Sequence, residues 1–327
     1  IGIATMFGNI GMPAGAKRFI SYYIGKKDYA RVKGTIFSSY SIITISSIIT
    51  GALVFIFAGL ISTRIFNSPG LESVLRVFAF IIPLRGIISL SRSVFLGFKK
   101  PHYKALVQTI ADRLFSIVLL LLVMLLGGGL LYVSGAFLGG IAMAALISLG
   151  LVYFLTRTYK KEKPIFENKQ LIYFSLPLVF TGVAGVMMTR LDKLIVGFFL
   201  GPAQVGIYTV AFALANLLML SLGSMNAMYL PIATRYFAEE QKDLMARIYE
   251  SVTRLSFLIS FPVFLVFVLF STQIINVLYG GGYSPGGGST IILSVTFISV
   301  IFLGPSMPTL QVINKTKALQ LKIFNLG

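Results

Sequence analysis

The sequence predicts an all-α polytopic membrane protein, and three observations carry that prediction. Of 327 residues 56% are hydrophobic and only 12% charged, against about 25% charged in ordinary soluble domains; the mean hydropathy is +0.89. Apolar segments long enough to cross a hydrocarbon core of about 30 Å as helix recur along the whole chain. The basic residues fall in short clusters on alternate sides of those segments, as cytoplasmic loops do. The net charge of +18 is therefore a loop property rather than a nucleic-acid-binding face.

Ten spans are expected, in order 1 to 24, 34 to 62, 72 to 97, 104 to 127, 129 to 156, 171 to 199, 203 to 233, 250 to 272, 287 to 312, and 318 onward. The first ends in a basic loop with Lys17, Arg18, Lys26, Lys27, Arg31 and Lys33. The second and third turn at Ile65 to Gly70 and return to Lys99, Lys100 and Lys104. The fourth and fifth are joined by the glycines at 127 to 129 and lead to Arg157, Lys160, Lys161, Lys163 and Lys169. The sixth and seventh turn at Gly201 and return to Arg235, Lys242, Arg247 and Arg254. The eighth and ninth turn at Gly280 to Gly288 and return to Lys315, Lys317 and Lys322. The opposite side holds only Arg64 and Arg76, so the first span runs from outside to inside.

The layout repeats. The stretch from Arg18 through the turn at Asn67 to Gly70 and on to Lys99 matches that from Arg235 through the turn at Gly280 to Gly286 and on to Lys315. The offset corresponds to six spans, so both copies share an orientation and a pseudo-two-fold axis along the membrane normal is implied, with a cavity between two bundles. The expected organisation is a lobe over 1–156, a cytoplasmic linker over 157–170 and a second lobe over 171–327. The chain begins at Ile1 and stops shortly after its tenth segment starts, which reads as an internal fragment.

Composition closes several chemistries. With no cysteine and one histidine, disulfides, thiolate metal sites and His-based triads have no material. No catalytic group, cofactor or metal is expected. Five cations fall within the spans, at Arg85, Arg92, Arg113, Arg190 and Lys193, against the two carboxylates Asp112 and Asp192. Burying an ion in the bilayer costs about 2.5 to 3.5 kcal/mol, so such groups face a cavity or a partner. Arg85, mid-span, fits either a cavity role or a structural one on carbonyls freed by Pro83. Arg113 calls for a partner on another helix. Arg190 and Lys193 share a helix face and fit either a cavity or interfacial anchoring. Arg92 is close enough to the basic side to snorkel. This balance selects an anionic guest.

Other signals carry less. The glycines at 280 to 288 lack the Lys-Ser/Thr of a phosphate loop and read as an outer turn. Gly11 with Gly15, Gly135 with Gly139 and Gly197 with Gly201 fit the small-xxx-small pattern of close helix crossings, which also arises by chance. His102 reads as a solvated loop residue. Prolines at 13, 83, 177, 262, 305 and 308 lie within spans, where each can bend its helix.

The stretch Arg190-Leu191-Asp192-Lys193-Leu194-Ile195-Val196-Gly197, followed by Gly201-Pro202-Ala203-Gln204-Val205-Gly206-Ile207-Tyr208, resembles the centre of the Wzx-type polysaccharide-biosynthesis flippases. Phe174 to Pro177, Leu278-Tyr279-Gly280, Asn314 to Lys317, Gly15 to Ile20 and Gly25 to Asp28 fit the same family, in order, across essentially the whole chain. The resemblance implies kinship with the multidrug and toxin extrusion transporters and the lipid II flippases, and two six-helix lobes of which this chain lacks the first span and the last two to four. It also implies transport of polyprenyl-pyrophosphate-linked oligosaccharide across the cytoplasmic membrane, with membrane lipids and other polysaccharide assembly proteins as partners. Arg85, Arg113, Arg190 and Lys193 are the candidates for holding the pyrophosphate. The alternatives are a cation-coupled exporter of small molecules on the same fold and a membrane-embedded glycosyltransferase or ligase. The second would need an outer loop rich in carboxylates or His.

Overall fold

The computed structural model describes residues 2–157 and 162–313, and among these every regular element is helical. The tenth expected span and the motif from Asn314 to Lys317 lie outside the described residues. The chain divides into two compact units, residues 1–198 and 199–327.

The first unit opens with α1 (Gly2–Asn9) and α2 (Met12–Gly25). The first expected span is thus broken, because Ile10 (φ 44) and Gly11 (φ 64) are left-handed and Pro13 supplies no amide to carry a helix through. Asp28 then caps α3 (Tyr29–Ile56), its side chain accepting from the Arg31 amide at 3.1 Å. A short helix, α4 (Ala58–Leu60), and a π-helical turn (Ile61–Ile65) lead to α5 (Leu71–Ala79) and α6 (Ile81–Gly97). These last two meet at 41°, just before Pro83. There follow α7 (Pro101–Leu106), a π-helical stretch (Val107–Leu114), α8 (Phe115–Leu125), α9 (Leu130–Thr156) and α10 (Asn168–Leu200).

α6 is the centre of this unit. One buried cluster runs from Met12 and Ile20 of α2 through Ile43 of α3 and Ile88, Leu90 and Phe95 of α6 to Ile141 and Val152 of α9. Hydroxyls stitch the same helices together. Tyr40 of α3 bonds Ser91 of α6 at 2.7 Å, and Ser91 donates to Ser148 of α9 at 3.2 Å, contacts that typically add about 0.6 kcal/mol each between membrane helices.

The linker is docked rather than loose. Ile165 donates its amide to the Ala30 carbonyl at 3.1 Å. Glu167 accepts from the Tyr23 hydroxyl and pairs with Arg31 at 2.7 Å. A Cβ at Gly34 would lie 1.8 Å from the Ile165 carbonyl oxygen, so only glycine permits this approach. α10 belongs to the first compact unit as far as Phe198, and its early turns lie against α2: a Cβ at Gly11 or at Gly15 would fall 2.1 Å from an oxygen of Ser175. Gly11 and Gly15 therefore mark a true close crossing. A Cβ at Gly135 or Gly201 would meet nothing within 4 Å.

The second unit holds α11 (Pro202–Ala215), a 3-10 turn (Asn216–Leu218), α12 (Met219–Ala238), α13 (Lys242–Tyr279), α14 (Gly286–Phe302) and α15 (Ser306–Val312). Its buried residues form two clusters, around Leu218 and Phe267 and around Tyr229 and Val252. α13 departs from helical geometry at Phe270 (φ −127), eight residues after Pro262, while Gly304 (φ 65) separates α14 from α15.

Among the described residues, four helical stretches are by length and composition able to cross a membrane unaided: 29–56, 131–156, 202–238 and 242–279. Two bent pairs bring the number to as many as six. Shorter apolar helices at Phe115–Leu125 and Gly286–Phe302 occupy parts of further expected spans. The chain is an all-α, multi-pass membrane protein.

Candidate functional site

The break in the first span creates a cavity. It measures about 330 Å³ and is lined by Met6, Asn9 and Pro13 from the broken segment, Ser89 from α6, and Leu178 and Gly182 from α10, with neighbours on the same helices. A Cβ at Gly182 would stand 2.8 Å from the Met6 methyl, so the glycine leaves room for the tip of that side chain.

The cavity has a polar edge. The side-chain oxygen of Asn9 is buried and accepts no hydrogen bond, and it sits 3.3 Å from where a Cβ on Gly86 would stand. The Ser175 hydroxyl is likewise buried without a hydrogen-bond partner. Buried orphan acceptors in an apolar setting are costly, by about 1 to 3 kcal/mol each, and they tend to mark places where a guest or water completes the set.

Arg85 lies on α6 four residues before Ser89, hence on the face of the helix that reaches the cavity, and it is half-buried. Arg190 lies eight residues beyond Gly182 on α10. Its side chain touches the start of α1, with Cδ 3.5 Å and Nε 3.6 Å from a Cβ position on Gly2. Lys193 is one turn further along α10 and half-buried, and Asp192 between them has a buried carboxylate oxygen. Arg113 is exposed, at the end of the π-helical stretch, and does not line this cavity. The side chain of Asp112 lies outside the described residues. The cavity thus associates with Arg85 through α6 and with Arg190 through α1 and α10.

Sequence reasoning missed the neutral half of this arrangement. Asn9, Ser89 and Gly182 carry no charge to draw attention, and only the pair Gly11 and Pro13 signalled a break. The π-helical stretch under Arg113 had no signal. Such stretches are frequent at functional positions because one extra residue per turn rotates everything after it.

The family model described as polysaccharide biosynthesis protein matches residues 1–285. Over 175 residues the chain is 27% identical to the probable low-salt glycan biosynthesis flippase Agl15 of Haloferax volcanii, which covers 51% of this chain and 37% of that protein. Over 323 residues it is 24% identical to the uncharacterized membrane protein MJ1068 of Methanocaldococcus jannaschii, covering 91% of this chain and 63% of that one. The chain therefore spans less than two thirds of the length of either relative. Among solved structures, an inward-facing multidrug-resistance MATE transporter of the MOP superfamily superposes with TM-score 0.63 at 18% identity, over 95% of this chain and 71% of its own. An outward-facing one gives 0.56 at 18%, over 99% and 74%. At that identity the likeness establishes the fold. The chain belongs to the polysaccharide biosynthesis protein family and is a multi-pass membrane protein with the fold of the MATE transporters.

Proposed function

We propose that the protein turns a polyprenyl-pyrophosphate-linked oligosaccharide over across the cytoplasmic membrane, for surface polysaccharide assembly. In this reading residues 1–156 and 171–327 are lobes that rock about the substrate, joined by 157–170, and the headgroup is carried while the lipid tail stays in the membrane. Of the four candidate cations, Arg85, Arg190 and Lys193 neutralise the pyrophosphate in this reading, while Arg113 does not line the cavity. The observation that carries the reading is the cavity at the break between α1 and α2, which has Asn9 and Ser89 in its wall and Arg85 one turn away on the same face of α6. Cations placed within apolar spans favour an anionic guest. The description of the Haloferax volcanii relative as a glycan flippase supports the same substrate class.

The test is accumulation of lipid-linked sugar on the cytoplasmic side of cells that depend on this protein. Arg85→Ala should cut surface polysaccharide at least tenfold with normal protein levels in the membrane, and Arg85→Lys should restore part of it. Normal export with Arg85→Ala and Arg190→Ala combined would remove the proposed cation site. Proton- or sodium-driven efflux of a cationic dye from liposomes, with lipid-linked sugar unaffected, would assign the protein to small-molecule export instead.

A further inference from the structure

The first unit carries a second hollow, on a different face. α3 and α9 both pack on α6, held there by the Tyr40–Ser91–Ser148 hydroxyl chain, and between them they leave a groove of about 620 Å³. Its walls are Ile36, Phe37, Tyr40 and Thr44 on one side and Tyr153 and Thr156 on the other. Phe37 is 65% and Tyr153 64% exposed, so the groove opens sideways from two helices that are themselves long and apolar enough to span a membrane.

Its length matches one leaflet. From Ile36 to Ile45 the lining runs nine residues along α3, about 14 Å at 1.5 Å per residue, roughly half of a hydrocarbon core of about 30 Å. Its charge is at one end only. Lys33 stands three and four residues before Ile36 and Phe37, and Arg157 four residues after Tyr153, so both cations continue the stripes that line the groove. Lys33 donates to the Glu162 carbonyl at 2.8 Å, which fixes it at the mouth. The Arg157 guanidinium lies 5.7 Å from the ring centre of Phe154, the neighbour of groove-lining Tyr153. Lys163, next to Glu162 in the linker, adds a further cation to this segment.

We propose that this groove is a binding site for an anionic membrane phospholipid of the cytoplasmic leaflet, its phosphate between Lys33 and Arg157 and one acyl chain along Phe37, Tyr40 and Tyr153. A cationic mouth, a hydroxyl- and aromatic-lined upper wall and an apolar run one leaflet deep fit that ligand. A zwitterionic lipid satisfies the walls and not the mouth. The site is separate from the cavity at α1 and α2 and does not depend on what the protein transports.

The sequence contains no tryptophan, which provides a direct reporter. In the full-length protein, with any tryptophan elsewhere replaced by Phe, Tyr153→Trp is reconstituted into vesicles containing brominated phosphatidylglycerol or brominated phosphatidylcholine. The expected result is stronger quenching by the anionic lipid, with a relative association constant that falls about fivefold in Arg157→Gln, the effect of one cation at an anionic headgroup. The Lys33 contact with the linker remains intact in that variant. Leu121→Trp on α8 should show no preference. Equal quenching by the two lipids, or a preference unchanged by Arg157→Gln, would overturn the proposal. Absence of quenching by either lipid would mean that protein covers the groove, and would also overturn it. Displacement by a polyprenyl phosphate in preference to phosphatidylglycerol would give the groove to the transported lipid and refute the assignment to a resident phospholipid.

Discussion

In the first unit α3 is followed by a span that breaks near its start, at Phe80; in the second, α13 is followed by a span that breaks near its end, at Gly304. These are the two stretches whose sequences match in layout, so the same hairpin bends at opposite ends in its two copies. Each break sits next to a proline, Pro83 in one and Pro305 in the other, where a backbone hydrogen bond is lost. The surroundings then differ. At the first break α3 comes so close that a Cβ at Gly51 would lie 2.9 Å from the Ala79 carbonyl oxygen, whereas at the second a Cβ at Gly304 would lie 2.0 Å from the Thr253 hydroxyl. A shared pattern of hydrophobic length and turns thus fixes where spans lie, while individual prolines and glycines fix where they bend.

The comparison can be broken first at Gly304. Its left-handed φ costs an L-residue about 1 to 2 kcal/mol, and the clash with Thr253 adds overpacking of similar size. Gly304→Val should therefore destabilise by about 3 kcal/mol, read as a large drop in unfolding temperature in detergent; a loss no greater than that of an exposed helix substitution would mean the break is not held by this glycine.

The inner end of the first hairpin provides the next largest effect. Gly34→Leu must push the linker off α3, because its Cβ would stand inside contact distance of Ile165. We expect about 2 kcal/mol of destabilisation together with faster tryptic cleavage at Lys163. Unchanged cleavage would contradict a docked linker.

The outer end should hardly respond. Glu72 and Arg76 form an exposed pair at 2.6 Å, one turn apart on α5, and pairs of this kind contribute about 0 to 1 kcal/mol. Glu72→Gln should shift stability by under about 0.5 kcal/mol, and a larger shift would show that the outer break depends on charge rather than on Pro83 and Gly51.

Much of the fold was legible because membrane spans are specified by hydrophobic length, which one sequence displays in full. The bends were half legible. Pro13, Pro83 and Pro305 sit at or beside breaks, but α13 loses helical geometry at Phe270 rather than at Pro262, and α12 accommodates Pro231. Proline removes a hydrogen bond at a known place, yet neighbouring helices decide whether the axis turns there. The docking of the linker was not legible, because it rests on a backbone amide meeting the Ala30 carbonyl and on the missing side chain of Gly34, and neither has a sequence signature. For the candidate site, charge in an apolar span singled out Arg85 and Arg190. The hollow beside them is shaped by Asn9, Ser89 and Gly182, whose neutrality left them unremarked.

The docked linker also bears on how the protein is made. Synthesis delivers α1 to α9 before residues 162 to 168 leave the ribosome, and domains tend to assemble in that order. The surface around Ala30 and Gly34 is therefore uncovered until the linker arrives, and Glu167 then reaches both Tyr23 and Arg31 as α10 begins. The basic side of α2 and α3 is thus covered by a segment made after α9 and just before α10, the last helix of the first unit.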